Sequence, residues 1–370
     1  MKQAFSWKNL DYPVVLCPPM DGITDMAYRE LVAEMGGSAA QYCEFVNVKG
    51  IIHESVKTMF ELRFTEKQRP IVVQLFGNEP DDFYEAAKIV VRLGFDAIDI
   101  NMGCPAHKVA GKGGGCSLMG DTATARRIVE MTIKGANEAW QAMGNEGEYE
   151  VTCKMRLGID DKKTVFSHAM SMVEGGAKCI AIHGRTLRQM YTGEADWEPV
   201  KQFKALVGDR VRVFGSGDAK SLYEAFVRII TTDADGVMIG RGSFGNPWVF
   251  DQHKVSRMKR YIEEVRITSG SRIVDDVTSI KNIDEIRENL ANFNPTFEDL
   301  KNAAIHHAEL MVQDKGEKGI TQMRKHLGWY FGGFEGAKQL RSDLVRVNTL
   351  DEMKHILDTF KAPADLPVQS

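Results

Sequence analysis

The stretch Gly94-Phe95-Asp96-Ala97-Ile98-Asp99-Ile100-Asn101-Met102-Gly103-Cys104-Pro105 decides the fold. Its first half reads as a short buried strand, apolar with acidic interruptions, entered from a helix-ending glycine. Gly103 permits a sharp exit, and Pro105 cannot carry a strand ladder further. An amide and a thiol therefore stand side by side at the strand's C-terminal tip, the end where parallel α/β sheets keep their chemistry. Taken alone, Cys104 reads equally as a packed thiol, because free cysteine is among the most buried residue types.

Working outward, apolar strand-like runs recur at 12–20, 39–46, 70–75, 151–155, 179–182, 211–214 and 236–239. Helical patterns lie between them. Thr24 reads as the cap of a helix to Met35, Asp81–Leu93 as a helix closed by Gly94, and 121–135 as a helix closed by Gly135. Further helices are read near 163–174, 197–206 and 219–230. Eight strands alternating with helices at roughly 25–40-residue spacing predict an α/β fold, a (β/α)8 TIM barrel. A doubly wound sheet is the rival, disfavoured because no reversal of strand order is visible. Residues 251–294 read as a charged connecting insertion, and 295–362 as a small antiparallel helical bundle with apolar positions at Phe297, Leu300, Ala304, Met323, Leu327, Tyr330, Leu340 and Leu344. Gly316, the Gly332-Gly333 pair and Gly336 are read as breaks between its helices, and the last residues as a loose tail.

Net charge of −4 and a pI near 6.2 give no global pull toward nucleic acid, so RNA binding requires a local basic face. The six cysteines show no tight metal spacing, and several sit in apolar runs. This suits a reducing cytoplasm rather than a disulfide framework. His306-His307 has no obvious metal partner, so no metal site is expected. No secretory or membrane-spanning segment is read, and no protein partner is evident.

The residues closing each strand carry the functional argument. They are Gln74, then Asn101 and Cys104, then Lys154 and Arg156, then His183-Gly184-Arg185, then Gly215-Ser216-Gly217-Asp218, and last Gly240-Arg241-Gly242. Asp218 also reads as a helix cap. Small residues on the last two tips let backbone N–H groups approach an anion, the usual phosphate position of such barrels. Arg241 could pair with that phosphate bidentately. A phosphate on one side, with Gln74, Asn101 and Lys154 across the centre, suits FMN. Pyridoxal phosphate, with Lys154 as Schiff base, is the competitor.

Together, Cys17-Pro18-Pro19-Met20-Asp21-Gly22-Ile23-Thr24-Asp25, Val73-Gln74-Leu75-Phe76-Gly77, Asn101-Met102-Gly103-Cys104-Pro105, Lys154-Met155-Arg156-Leu157-Gly158, His183-Gly184-Arg185-Thr186, Gly215-Ser216-Gly217-Asp218 and Gly240-Arg241-Gly242 resemble the ordered motifs of the tRNA-dihydrouridine synthases. Arg324-Lys325-His326-Leu327-Gly328-Trp329-Tyr330 is similar to that family's helical region, nearest to its bacterial B-type members. The resemblance implies FMN-dependent reduction of a uracil C5=C6 bond in tRNA, with NADPH as reductant. It implies an FMN-binding barrel over 1–250 and an RNA-binding helical domain over 295–370. Pro19, Met20, Asp21, Gln74, Lys154 and His183 would meet the flavin, while Ser216, Gly217, Asp218, Gly240 and Arg241 would hold its phosphate. Cys104 would be the proton donor, and Asn101, Arg156 and Arg185 would stand on the substrate side. Ser216 stands where the family usually has Asn, and Asp21 where a small residue is common.

The chemistry is consistent with those residues. A thiol with an ordinary pKa near 8.5 is mostly protonated at neutral pH and suits an acid. RNA would have to present a splayed base. A basic track is expected from Lys108, Lys112, Arg156, Arg185 and Arg188 at the rim to Lys315, Lys318, Arg324, Lys325, Lys338, Arg341 and Arg346 on the bundle. Interleaved acidic residues also allow a plain solvated face. Trp329 and Tyr330 read as bundle core rather than stacking platforms. A flavin barrel acting on free pyrimidines, or a non-catalytic RNA-binding module, remain as other readings.

Overall fold

The computed structural model describes residues 2–106, 109, 111, 113–363 and 366. Nine short strands, all parallel, build the barrel wall: β1 (Val14–Leu16), β2 (Gln41–Tyr42), β3 (Val46–Asn47), β4 (Ile71–Phe76), β5 (Ala97–Met102), β6 (Val151–Arg156), β7 (Cys179–His183), β8 (Arg212–Ser216) and β9 (Gly236–Met238). They run in the order β1-β9-β8-β7-β6-β5-β4-β2, with β3 also on β4. The single second strand expected over 39–46 is two pieces on one neighbour, interrupted where Glu44 turns its carboxylate to the Gly22 N–H. The seam between β1 and β2 is bridged by the Ala39 N–H donating to the Val15 carbonyl at 3.1 Å and the Cys17 N–H donating to Ser38 Oγ at 3.0 Å. The result is a nearly closed barrel of eight staves alternating with helices, the (β/α)8 architecture.

Register stacks the staves in rows. Gln74, Asp99, Thr152 and Cys179 pair in one row, and Asn101, Lys154, Ala181, Phe214 and Gly236 in the next. Arg156, His183, Ser216 and Met238 form the rim row. Trp7, Val14, Leu16, Val72, Ala97, Ala181, Phe214 and Met238 cluster as the apolar interior. A second, larger core lies between the strands and the surrounding helices.

Asp25, rather than Thr24, caps the Met26–Glu34 helix by accepting the Tyr28 N–H at 2.9 Å. Thr24 instead closes the preceding turn, its hydroxyl accepting the Met20 N–H at 3.0 Å. The helix expected to stop at Gly135 runs from Thr122 to Ala142. A Cβ at position 135 would fall 2.3 Å from the Tyr84 carbonyl oxygen, so this glycine allows the Pro80–Arg92 and Thr122–Ala142 helices to touch. Within the segment expected as an insertion, helix Gln252–Ser269 buries Val255, Met258, Ile262 and Val265 in the barrel's outer core. It packs on the Leu222–Thr232 helix and completes the outer ring.

Helices Phe297–Lys315, Lys318–Tyr330, Ala337–Leu344 and Leu350–Thr359 form the C-terminal helical region. Their core contains Leu300, Ala304, Met311, Met323, Leu327, Tyr330, Leu340 and Leu344, and it takes in Ala27 and Leu31 of the first barrel helix. Among the described residues, no helix is long and apolar enough to cross a membrane.

Two glycines inside helices therefore have opposite expectations. Gly135→Ala should lower stability by about 1–3 kcal/mol through the clash with Tyr84. At Gly328 an added Cβ would meet nothing within 4 Å, so Gly328→Ala should gain about 0.5–1 kcal/mol. Urea denaturation of both variants checks the pair, and equal effects would contradict the packing.

Candidate active site

The strand tips enclose a cavity of about 700 Å³ at the C-terminal mouth of the barrel, within the ordinary range for small-molecule sites. Its wall brings together Pro19, Met20, Asp21, Gln74, Asn101, Cys104, Lys154, Arg156, His183, Ser216, Gly217, Asp218, Gly240 and Arg241. These come from the tips of β4 to β9 and the turn after β1, so the barrel gathers what the sequence scatters from Pro19 to Arg241.

One side of the wall is a chain of amides. Asp99 Oδ2 accepts from Gln74 Nε2 at 2.6 Å, and Gln74 Oε1 accepts from Asn101 Nδ2 at 2.8 Å. Asn101 Oδ1 then accepts the N–H groups of Gly103 at 3.1 Å and Cys104 at 2.9 Å. The thiol-bearing loop is thus hung from a side chain of the strand that precedes it. None of the six cysteines is in a disulfide, and Cys104 is the one of them that is not buried.

From the neighbouring strand onward the wall is cationic. Burial, with Arg156 nearby, lowers Lys154 to about 8 despite the countering charge of Asp99. His183 falls to about 2, first by burial and then by Lys154, Arg156, Arg185 and Arg241, so it is neutral. A cavity that keeps an imidazole neutral with four surrounding cations is a place for an anion. His183 Nε2 is buried and has no hydrogen-bond partner among the described residues. Beside it, Gly217 (φ 118°) and Asp218 (φ 55°) turn the backbone through the left-handed region, and a Cβ on Gly217 would lie 2.6 Å from that of Ala195. The orphaned imidazole nitrogen and the glycine-lined turn fit a phosphorylated cofactor held at this tip.

Asp218 does not cap the following helix, which Ser221 caps by accepting the Glu224 N–H. Its carboxylate instead accepts from Arg185 Nη2 at 2.7 Å, Arg241 Nη2 at 3.0 Å and the Ala195 N–H at 2.7 Å. Burial pushes this carboxyl up, but those donors outweigh it and leave it below the usual carboxylate range. Arg185 is 2% exposed, also donates to the Thr192 and Gly193 carbonyls, and is not on the cavity wall. Arg156 is 3% exposed and bridges two loops, donating to the Gly103, Thr186 and Met190 carbonyls. Neither guanidinium is an open rim charge: backbone carbonyls of the mouth loops hold both, and Asp218 pairs with Arg185.

The motifs missed several wall residues. Tyr191 is 59% exposed at the mouth, with the Arg156 and Arg241 guanidinium carbons each 5.7 Å from its ring centre. An exposed aromatic between a strand tip and the next helix was the available signal. Phe244 lines the cavity and stacks on Trp329 of the helical region, with ring centres 4.2 Å apart. Trp329 thus joins barrel to bundle at the mouth, while Tyr330 is core. Glu44, raised to about 7 by burial and by Asp25, holds the Gly22 N–H of the cavity turn.

Of the expected basic track, Lys108 and Lys112 lie outside the described residues. Arg324 donates to Val347 O at 2.9 Å and Asn348 Oδ1 at 2.8 Å, and Lys325 donates to Gly22 O. Lys315 pairs with Asp25 at 2.5 Å. Lys318, Lys325, Lys338 and Arg346 are exposed on the helical region.

The sequence profile of the family described as dihydrouridine synthase (Dus) matches residues 15–365. The chain is 32% identical over 354 residues to a probable tRNA-dihydrouridine synthase 1 of Synechocystis sp., covering 95% of this chain and 87% of that protein. It is 32% identical over 368 residues to a probable tRNA-dihydrouridine synthase of Mycobacterium tuberculosis, covering 97% and 85%. It is 30% identical over 338 residues to tRNA-dihydrouridine synthase B of Pseudomonas aeruginosa, covering 91% and 89%.

Lys154 gives a pH signature in the protein without added cofactor. Its folded pKa of about 8 lies below the ordinary lysine value of 10.5, so between those values the unfolded chain binds more protons and this site makes stability rise with pH. Lys154→Met should remove that rise and be more stable at pH 7 by on the order of 1–2 kcal/mol. Denaturant titrations of both proteins across this window check it, and parallel curves would contradict it.

Proposed function

The chain belongs to the dihydrouridine synthase family, and from that premise we propose that it reduces uridine in tRNA to 5,6-dihydrouridine, using bound FMN with NADPH as reductant. The observation that carries the reading is the wall itself. A partly exposed thiol hangs from Asn101, the lysine of the neighbouring strand stands beside it, and a neutral histidine and a glycine-lined turn follow around the wall. When bound and reduced, the flavin supplies a hydride to uracil C6 from its N5.

The chain's own residues do the rest. Gln74 and Lys154 meet the flavin ring, where the ammonium offsets negative charge on its pyrimidine edge. Pro19, Met20 and Asp21 line the cofactor, and His183, Ser216, Gly217, Asp218, Gly240 and Arg241 hold its phosphate end. Asn101 reads the uracil edge while keeping Cys104 in place. Cys104 donates its thiol proton at C5, completing addition of hydride and proton across the double bond. Arg185 fixes Asp218, and Arg156 ties the cysteine loop to the Met190 loop on the substrate side.

The barrel over 1–250 serves as the FMN-binding catalytic unit, and the helical region over 295–370 binds RNA through Arg324, Lys325 and neighbouring exposed cations, joined by Lys108 and Lys112. The target uridine enters splayed from its stack. A cytoplasmic setting fits the free thiols and the substrate.

The test is Cys104→Ala. The variant should bind FMN and accept electrons from NADPH at near wild-type rates, while dihydrouridine formation in tRNA falls by about 10²–10⁴-fold. Equal turnover would remove Cys104 from the reaction, and a wild-type protein that takes up no FMN would remove the flavin reading.

A further inference from the structure

Asp99 shares a register row with Gln74 but does not line the cavity, yet the chain of amides ends on it. It is 1% exposed, and Gln74 is equally buried. An amide has no preferred way round: its oxygen and nitrogen ends are set by their neighbours. At the upper end the Gly103 and Cys104 N–H groups can only donate, so Asn101 must offer its oxygen there. Asn101 Nδ2 then requires the Gln74 oxygen, and Gln74 Nε2 requires an acceptor beneath it. Asp99 Oδ2 is that acceptor at 2.6 Å. The other carboxylate oxygen accepts from Thr152 Oγ1 at 2.5 Å, and Thr152 in turn shares a hydrogen bond with the buried Tyr42 hydroxyl.

We propose that Asp99 is a positioning residue: it terminates the amide chain as an acceptor, fixes which ends of Gln74 and Asn101 face the cavity, and so holds the Cys104 backbone. Without an acceptor at position 99, a buried Gln74 N–H is left unsatisfied, a penalty of the same size as the hydrogen bonds that hold the chain. The chain then turns over or breaks, and Asn101 releases the cysteine loop. Burial raises Asp99 to about 6, so the carboxylate is ionised and accepts only at the pH of an ordinary assay. The effect on turnover rests on the uridine-reductase reading. The effect on the cysteine loop does not.

Two substitutions separate an acceptor from a charge. In Asp99→Asn the amide oxygen can still face Gln74, because the Thr152 hydroxyl can turn and accept from the new NH2 group. In Asp99→Leu no acceptor remains. Each protein is assayed by single-turnover dihydrouridine formation with prereduced, FMN-loaded enzyme, and by the alkylation rate of Cys104 with iodoacetamide. Asp99→Leu should slow the single turnover on the order of a hundredfold and speed alkylation by about threefold or more. Asp99→Asn should stay near wild type in both.

A folded Asp99→Leu protein with wild-type alkylation would overturn the proposal, as would an Asp99→Asn protein as impaired as Asp99→Leu. Should Asp99→Leu fail to fold, Asp99→Ala carries the test. It also takes the acceptor away from Gln74 but adds no bulk, and alkylation should again speed. Unchanged alkylation would overturn the proposal. If wild type itself forms no dihydrouridine, the reductase reading fails while the alkylation comparison still decides the role of Asp99.

Discussion

The parallel register of β4, β5 and β6 is the constraint from which the site follows. Pairing Gln74 with Asp99 and Asn101 with Lys154 sets polar side chains in consecutive rows of a barrel interior whose apolar cluster includes Trp7, Tyr42, Val72, Ala97, Phe214 and Met238. A slip of one residue in any of these strands would turn its polar set into the apolar layer behind. The register is secured by that layer: Val73, Leu75, Ile98, Ile100, Val151, Cys153 and Met155 belong to the outer core. The chemistry of the mouth is therefore held by ordinary hydrophobic burial on the far side of the same strands.

The helical region is built against the same mouth. Lys325 reaches Gly22 O and Lys315 pairs with Asp25, gripping both ends of the turn that presents Asp21. Phe244, on the last tip, stacks on Trp329, and Tyr28 of the first barrel helix donates to the Ser243 carbonyl from within the same junction. Arg63 pairs with Asp314 further out. The first three of these contacts fall on the segments that line the cavity, so packed side chains couple the C-terminal helices to its mouth.

Much of this was legible in the sequence because strand tips in a barrel are punctuated by glycine, proline and polar residues, which stand out against apolar runs. Fourteen of the expected site residues line one cavity. What was not legible depended on contacts distant in sequence. Arg185 looks like a free guanidinium until Asp218, 33 residues later, occupies it. Asp218 looks like a helix cap until Ser221 takes that place. Gly135 looks like a helix stop because its reason is a neighbouring helix's carbonyl. The charged stretch after Phe250 suggested a connecting helix and loop, but not that the helix packs into the barrel's outer core, because its buried positions are interleaved with Lys and Arg. Tyr191 and Phe244 carry no motif, and only closure of the barrel brings them to the mouth.

The central claim, that this mouth adds two hydrogens to a uridine of tRNA, is tested most directly in cells. Dihydrouridine is mapped by mass spectrometry in tRNA from cells with and without the gene for this chain. The account predicts at least one tRNA uridine that is reduced only when the protein is present and is restored when the gene is returned. An identical dihydrouridine map in both would contradict it.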